Sequence, residues 1–234
     1  MSFIERYQDG AYQTVNADWH EGDAAWKAAH VAAILARNGV APARIADAGC
    51  GTGGVLVQLQ AMLPPGTALT GFEIAEPAFR TAAARANAHL RFVHDFAEEH
   101  ASQPFDLLLA MDVFEHVPDY LGFLERVRPA ARAHVFHVPL DLSVKGLLTG
   151  LPMHRRRTVG HLHYYTPETA RASIEESGYR IVDIHLTHAI MQPAPVGWKR
   201  QLRRLPDRAL HAISPPLAQR WLGGHSLLVL AEPA

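Results

Sequence analysis

The chain has 234 residues, 48% of them hydrophobic and 19% charged, with a formal net charge of -1 at pH 7; this is the composition and length of one globular α/β domain, and it excludes disordered, collagen-like and coiled-coil chains. So even a charge balance supplies no overall field to draw nucleic acid or an anionic membrane as the main partner. Cys50 is the only cysteine, Met1 to Arg6 do not start a secretory leader, and no run of eighteen apolar residues occurs, so the expectation is a cytoplasmic protein without disulfides or stable membrane insertion.

Residues 1–42 lie outside any sheet pattern and carry a helical segment from about Asp23 to Arg37. They are expected to form an N-terminal helical lid, with Tyr12, Trp19 and Trp26 packing it onto the sheet. From Arg44 onward short apolar runs alternate with alanine-rich segments, the pattern of βαβ units around a mostly parallel sheet. Strand one is Arg44 to Ala48. A helix over Val55 to Leu63 is stopped by Pro64-Pro65-Gly66. Strand two is Ala68 to Ile74, and Glu76-Pro77 opens a helix reaching Ala88. Leu90 to Asp95 is strand three. Strand four, Phe105 to Asp112, is apolar enough to be buried on both faces and is therefore central.

A helix from about Asp119 to Val127 leads to strand five, Ala133 to Val138, ended by Pro139. A loop rich in His and Arg follows. Thr166-Pro167-Glu168 caps and starts another helix, which stops at Ser177-Gly178. Tyr179 to Leu186 is strand six, and Ser226 to Leu230 is a last strand. Residues 189–224 are too long for a hairpin loop and hold Pro193, Pro195, Pro206, Pro215 and Pro216, so they read as an inserted helical cap. The expected architecture is a doubly wound α/β sheet in one domain: lid 1–42, cofactor-binding core 43–188, cap 189–224 and last strand 225–234.

Gly49, Gly51 and Gly54 fit G-x-G-x-x-G at a strand-to-helix turn, which signals only a close backbone approach to a ligand. Asp47, two residues before the first glycine, narrows the choice. A dinucleotide pyrophosphate would be repelled there, whereas the ammonium and sulfonium of S-adenosylmethionine would be attracted. Glu73 can accept hydrogen bonds from both hydroxyls of a ribose, in nicotinamide and methyl-transfer folds alike. Two alternatives to a methyltransferase stay open on these residues: a nicotinamide-dependent oxidoreductase, and a non-catalytic cofactor-binding partner protein.

Asp47-Ala48-Gly49-Cys50-Gly51-Thr52-Gly53, then Glu73, Asp95 and the stretch Asp106 to Asp119, resemble the ordered motifs of class I S-adenosylmethionine-dependent methyltransferases over about residues 43–188. Met111-Asp112-Val113-Phe114-Glu115-His116-Val117-Pro118 is similar to the D-x-x-E-H-x-P signature of the small-molecule branch, which includes ubiquinone-type and natural-product enzymes. The resemblance implies a seven-stranded, Rossmann-like sheet with its last strand antiparallel, and S-adenosylmethionine as cofactor. It implies Asp47 near the methionine ammonium, Glu73 on the ribose, Asp95 and Phe96 beside the adenine, and Ala110 to Asp112 along the methionine arm. Gly49, Cys50, Gly51, Gly53, Ile74 and Met111 complete the implied cofactor-binding set. The acceptor it implies is a small or lipid-linked molecule, methylated on oxygen or nitrogen. Gly54 and the enlarged region 189–224 depart from a minimal member and bear on acceptor size and access.

Methyl transfer is an in-line displacement that needs alignment, and an oxygen or nitrogen acceptor must also lose a proton. Histidine suits that task near neutral pH. His116, after strand four, and His161 and His163, before the strand-six helix, are the candidate bases. Fifteen histidines, among them His161, His163, His185 and His188, raise the question of a metal. No H-E-x-x-H or cysteine–histidine zinc spacing occurs, so none is expected. Arg155-Arg156-Arg157 form one basic cluster, and Lys199, Arg200, Arg203, Arg204 and Arg208 form another. Trp198, Leu202 and Leu205 recur against the second at helical spacing. A solvated face accounts for such clusters, and recognition of an anionic or lipid-linked acceptor is the sharper reading.

Overall fold

Apolar side chains that alternate along every strand of a sheet demand a covering layer on each face, and this sequence supplies both. The computed structural model describes residues 21–100, 104–188 and 205–234. Seven strands, β1 (Arg44–Ala48), β2 (Ala68–Phe72), β3 (Leu90–Val93), β4 (Phe105–Met111), β5 (Ala131–Pro139), β6 (Tyr179–His188) and β7 (His225–Pro233), form one sheet in the order β3-β2-β1-β4-β5-β7-β6. Strand β4 is central, as its apolar run predicts. Only β7 runs against the rest, inserted between β5 and β6.

On one face Ile45, Leu107, Leu109, Val135, Leu228 and Leu230 meet α1 (Ala24–Arg37) and α2 (Gly54–Met62). On the other, Ala46, Leu108, Ala110, Phe136 and Val229 meet α4 (Tyr120–Val127) and α7 (Pro167–Glu176), while α3 (Glu76–Ala83) lies against β3. Val31, Ile34 and Leu35 are fully buried, so α1 is a covering helix of the sheet more than a detachable lid. Tyr12 and Trp19 lie outside the described residues, while the Trp26 ring packs edge-on at 5.9 Å from His137 of β5.

Several expected elements differ. The helix expected over Pro77 to Ala88 ends at Ala83, because Asn87 turns the chain back through a bridge to Leu90 (Asn87 N–H to Leu90 O, 2.8 Å). The His- and Arg-rich loop contains α5 (Val144–Leu148) and α6 (Leu151–Thr158). The Ser143 hydroxyl caps α5 by accepting from Gly146 N–H at 3.0 Å, and α6 carries three arginines and no apolar period that could have revealed it. Strands β5, β6 and β7 outrun their expected limits, whereas β2, β3 and β4 stop short, releasing Glu73, Asp95 and Asp112 into loops. Of the expected cap, 205–222 form the helix pair α8 (Leu205–Ile213) and α9 (Pro215–Leu222). Residues 189–204, with Trp198 and most of the second basic cluster, lie outside the described residues. Among the described residues no helix is long and apolar enough to cross a membrane.

The glycine turn is held at the end of β1 by Gly49 and Cys50, whose N–H groups both donate to Phe72 O (2.9 and 3.0 Å). Gly53 then enters α2 with φ +79°, and a Cβ there would stand 2.5 Å from the Phe92 ring. Left-handed strain and overpacking each cost about 1–2 kcal/mol or more. Gly53→Ala is therefore expected to lower unfolding free energy by about 2–4 kcal/mol in urea denaturation; an unchanged midpoint would contradict this packing.

Candidate active site

Parallel strands deliver their C-terminal ends to one edge of the sheet, where the loops of an α/β fold can surround a ligand. A cavity of about 690 Å³ opens there, roofed by α1 and walled by the segments following β1, β2, β3, β4 and β5. That volume suits a cofactor with part of a second molecule. Nine acidic residues line it against three basic ones, Lys27, Arg126 and Arg155, so the field inside favours a cation.

Most of the residues expected to bind a cofactor meet at this cavity: Asp47, Gly49, Cys50, Gly51, Glu73, Ile74, Asp95, Phe96, Met111 and Asp112 all line it. Gly53 does not. Its packing against Phe92 places it behind the turn, where it shapes the entry to α2. Asp47 is 1% exposed, its Oδ1 has no hydrogen-bond partner, and burial pushes its carboxyl up to about 8 despite Lys27 nearby. A buried acceptor with an open lone pair at the cavity wall fits an ammonium group. Glu73 accepts from Gly51 N–H (2.8 Å) and Ala75 N–H (2.7 Å), which locks the carboxylate to the glycine turn and leaves lone pairs for hydroxyls. Burial raises its carboxyl as well, against those backbone bonds. Asp95 accepts from Phe96 N–H (2.8 Å) and His100 Nε2 (3.1 Å), and the Phe96 bond in particular holds it below its ordinary value.

Asp112 has the only left-handed φ of a non-glycine among the described residues, +59°. Its Oδ2 pairs with Lys27 Nζ at 2.7 Å, and its Oδ1 accepts from His137 Nδ1 at 2.6 Å. Burial works to raise this carboxyl, yet His137 and Lys27 together hold it well below the usual carboxylate range. Lys27 and His137 were not singled out by the sequence reading. A lysine one turn from Val31 on the buried stripe of α1, and a histidine inside an apolar strand, were the available signals.

The methyltransferase domain family model matches residues 19–184, most of the chain, from before α1 into β6. The chain belongs to this family. With the seven-stranded fold, that makes it a class I S-adenosylmethionine-dependent methyltransferase, with S-adenosylmethionine as its cofactor. It is 30% identical over 121 residues to a ubiquinone biosynthesis O-methyltransferase of Vibrio campbellii, a match covering 47% of this chain and 49% of that protein. The chain thus spans about half the length of the curated relatives it matches. Among solved structures it resembles the magnesium protoporphyrin IX methyltransferase of Synechocystis PCC 6803 with bound S-adenosylhomocysteine (17% identity, 94% of this chain and 87% of that one, TM-score 0.60). It also resembles the plantazolicin methyltransferase BpumL with the same ligand (14% identity, 99% and 94%, TM-score 0.61). At these identities the two structures share the fold.

The cavity wall also gathers Glu115, His116 and His161. His161 Nδ1 lies 2.5 Å from Asp141 Oδ2, and the rings of His161 and His116 meet edge-on at 4.9 Å. Glu115 is fully buried with neither carboxylate oxygen hydrogen-bonded, so burial, then Asp112, pushes its carboxyl well above the usual range. One ligand atom from each of Glu115, His116 and His161 lies within 4.8 Å of the others, an arrangement the sequence reading did not foresee. His163 lies outside the cavity: its Nε2 binds the carbonyls of Val117 (3.0 Å) and Pro118 (3.2 Å), and its ring leans on Tyr120. It fastens the loop. Of the first basic cluster, Arg155 reaches the cavity, with Nε 3.5 Å from Asp141 Oδ1.

The Asp47 carboxyl sits near 4 in an unfolded chain and is raised to about 8 in the fold. Its contribution to stability is therefore fully present below about pH 4 and is lost as pH rises through about 8. Urea midpoints of the ligand-free protein should fall between pH 6 and pH 9, and Asp47→Asn should flatten that slope. Equal slopes in parent and variant would show that Asp47 is already ionised in the fold.

Proposed function

We propose that this methyltransferase acts on an oxygen or nitrogen of a small-molecule or lipid-linked acceptor, with His161 as the general base. The His161–Asp141 pair carries the reading. A carboxylate on Nδ1 fixes that nitrogen as the proton donor and leaves Nε2 as the basic one, the arrangement in which an imidazole accepts a proton near neutral pH. S-adenosylmethionine, when bound, supplies a methyl group activated on sulfur. The acceptor oxygen or nitrogen attacks the methyl carbon, the carbon–sulfur bond breaks to leave S-adenosylhomocysteine, and the acceptor proton passes to His161 Nε2. His116, edge-on to His161, limits how that ring can turn.

In the same reading Asp47 takes the methionine ammonium, Glu73 the ribose hydroxyls, and Asp95 with Phe96 the adenine. Met111 and Asp112 flank the methionine arm, while the backbone of Gly49, Cys50 and Gly51 allows close approach. The acidic lining disfavours the anionic pyrophosphate of a nicotinamide cofactor, and an oriented base has no task in a non-catalytic partner. Oxygen methylation is supported by the curated relatives' names, and Arg155 beside Asp141 suits an acceptor with an anionic end. The reading is of a cytoplasmic enzyme in one catalytic domain.

His161→Ala should lower kcat by about 10²- to 10⁴-fold while leaving the dissociation constant for S-adenosylhomocysteine unchanged. The assay is S-adenosylhomocysteine release on any member of a phenol and amine panel that turns over. Undiminished kcat in the variant would remove His161 from the chemistry.

A further inference from the structure

A second group of histidines lies where β6, β7 and α8 meet. His188 ends β6 and His225 begins β7, and the two are directly opposite in the strand register. His211 comes down on them from α8. The rings of His188 and His225 are 3.9 Å apart at their centres, and those of His211 stand 4.9 and 5.1 Å from the two. One nitrogen from each lies within 4.8 Å of the others. Nitrogens bound at about 2.0–2.1 Å to a tetrahedral ion are separated by about 3.4 Å, so small side-chain movements would close the group on a cation.

The tautomers favour ligation. His225 Nδ1 is 3.0 Å from Gly223 O, and a carbonyl can only accept, so Nδ1 carries the proton and Nε2 turns its lone pair to the group. A ligating histidine fixed by a backbone carbonyl on its other nitrogen is the usual supporting arrangement of a metal site. His211 Nδ1 lies 3.0 Å from that Nε2 and must donate to it; a cation would replace this bond, the proton moving to His211 Nε2. His188 and His225 are 7% and 3% exposed, which shields the site from bulk water.

We propose that His188, His211 and His225 form a binding site for a divalent transition cation of the zinc class. Three imidazoles and no carboxylate select zinc, cobalt, nickel or copper over magnesium or calcium. The ion would staple α8, and with it the late helical segment, to the sheet edge. Ser226, next to His225, lines the cavity, so the staple stands beside it.

The test is titration of the chelator-treated full-length protein with Co²⁺, followed by visible absorption, then displacement by Zn²⁺. One Co²⁺ per chain with a visible ligand-field band is expected, together with a rise in Tm of about 5 °C or more in excess Zn²⁺. His211→Gln should lose both while still binding S-adenosylhomocysteine, which verifies its fold; His188→Gln serves if that variant misfolds. His161→Ala should keep both signals. Absence of stoichiometric binding, or undiminished binding in the His211 and His188 variants, would overturn the proposal, the latter pointing to Glu115, His116 and His161 instead.

Discussion

The Asp112 carboxylate is the joint on which the cofactor end of this protein turns. One oxygen holds Lys27 of α1 and the other holds His137 of β5, whose far nitrogen lies 3.0 Å from Thr187 Oγ1 of β6. One side chain therefore connects the covering helix, the central strand and two further strands. A left-handed φ at a non-glycine residue costs about 1–2 kcal/mol, and the backbone bond from Asp112 N–H to His137 O (2.9 Å) helps hold it. Lys27 and His137 hold the carboxylate from two sides, and with that backbone bond they keep the strained conformation in place.

The same constraint explains the character of the cavity. Lys27 and His137 pair with Asp112, and Lys27 offsets only part of the burial that raises Asp47 and Glu115. Asp47, Glu73 and Glu115 remain buried with raised carboxyls, a site short of positive charge. A cation entering it gains interactions that water cannot supply there. The Glu115, His116 and His161 group is organised differently, around a histidine whose Nδ1 faces Asp141.

Much of the fold was legible because its signals are local. Strand β4 is apolar on both faces, Thr166-Pro167 starts a helix with a capping box, and the punctuation Pro64-Pro65-Gly66 ends one. The glycine turn and the acids at the strand ends were also readable, and they do meet at one cavity. What stayed hidden depends on tertiary packing. Gly53 looks like its neighbours in sequence, and only the Phe92 ring behind it reveals its different place. His163 and His161 are two residues apart, yet one fastens a loop and the other faces the cavity. Asp141, Lys27 and His137 carry no motif, and α5 and α6 carry no apolar period. The grouping of His188, His211 and His225 requires strand register and a helix from a later segment.

In the proposed reading the acidic cavity beside the glycine turn receives S-adenosylmethionine. Gly51 lines the cavity and a Cβ there meets nothing within 4 Å, so a larger side chain would occupy the ligand's space without clashing in the core, while its φ of +56° adds left-handed strain of about 1–2 kcal/mol that the variant must be shown to tolerate. Calorimetry with S-adenosylhomocysteine on the parent and on Gly51→Val is the direct measurement. One site is expected in the parent and none in a variant whose far-UV circular dichroism is unchanged; equal affinity in a folded Gly51→Val protein would put the cofactor elsewhere.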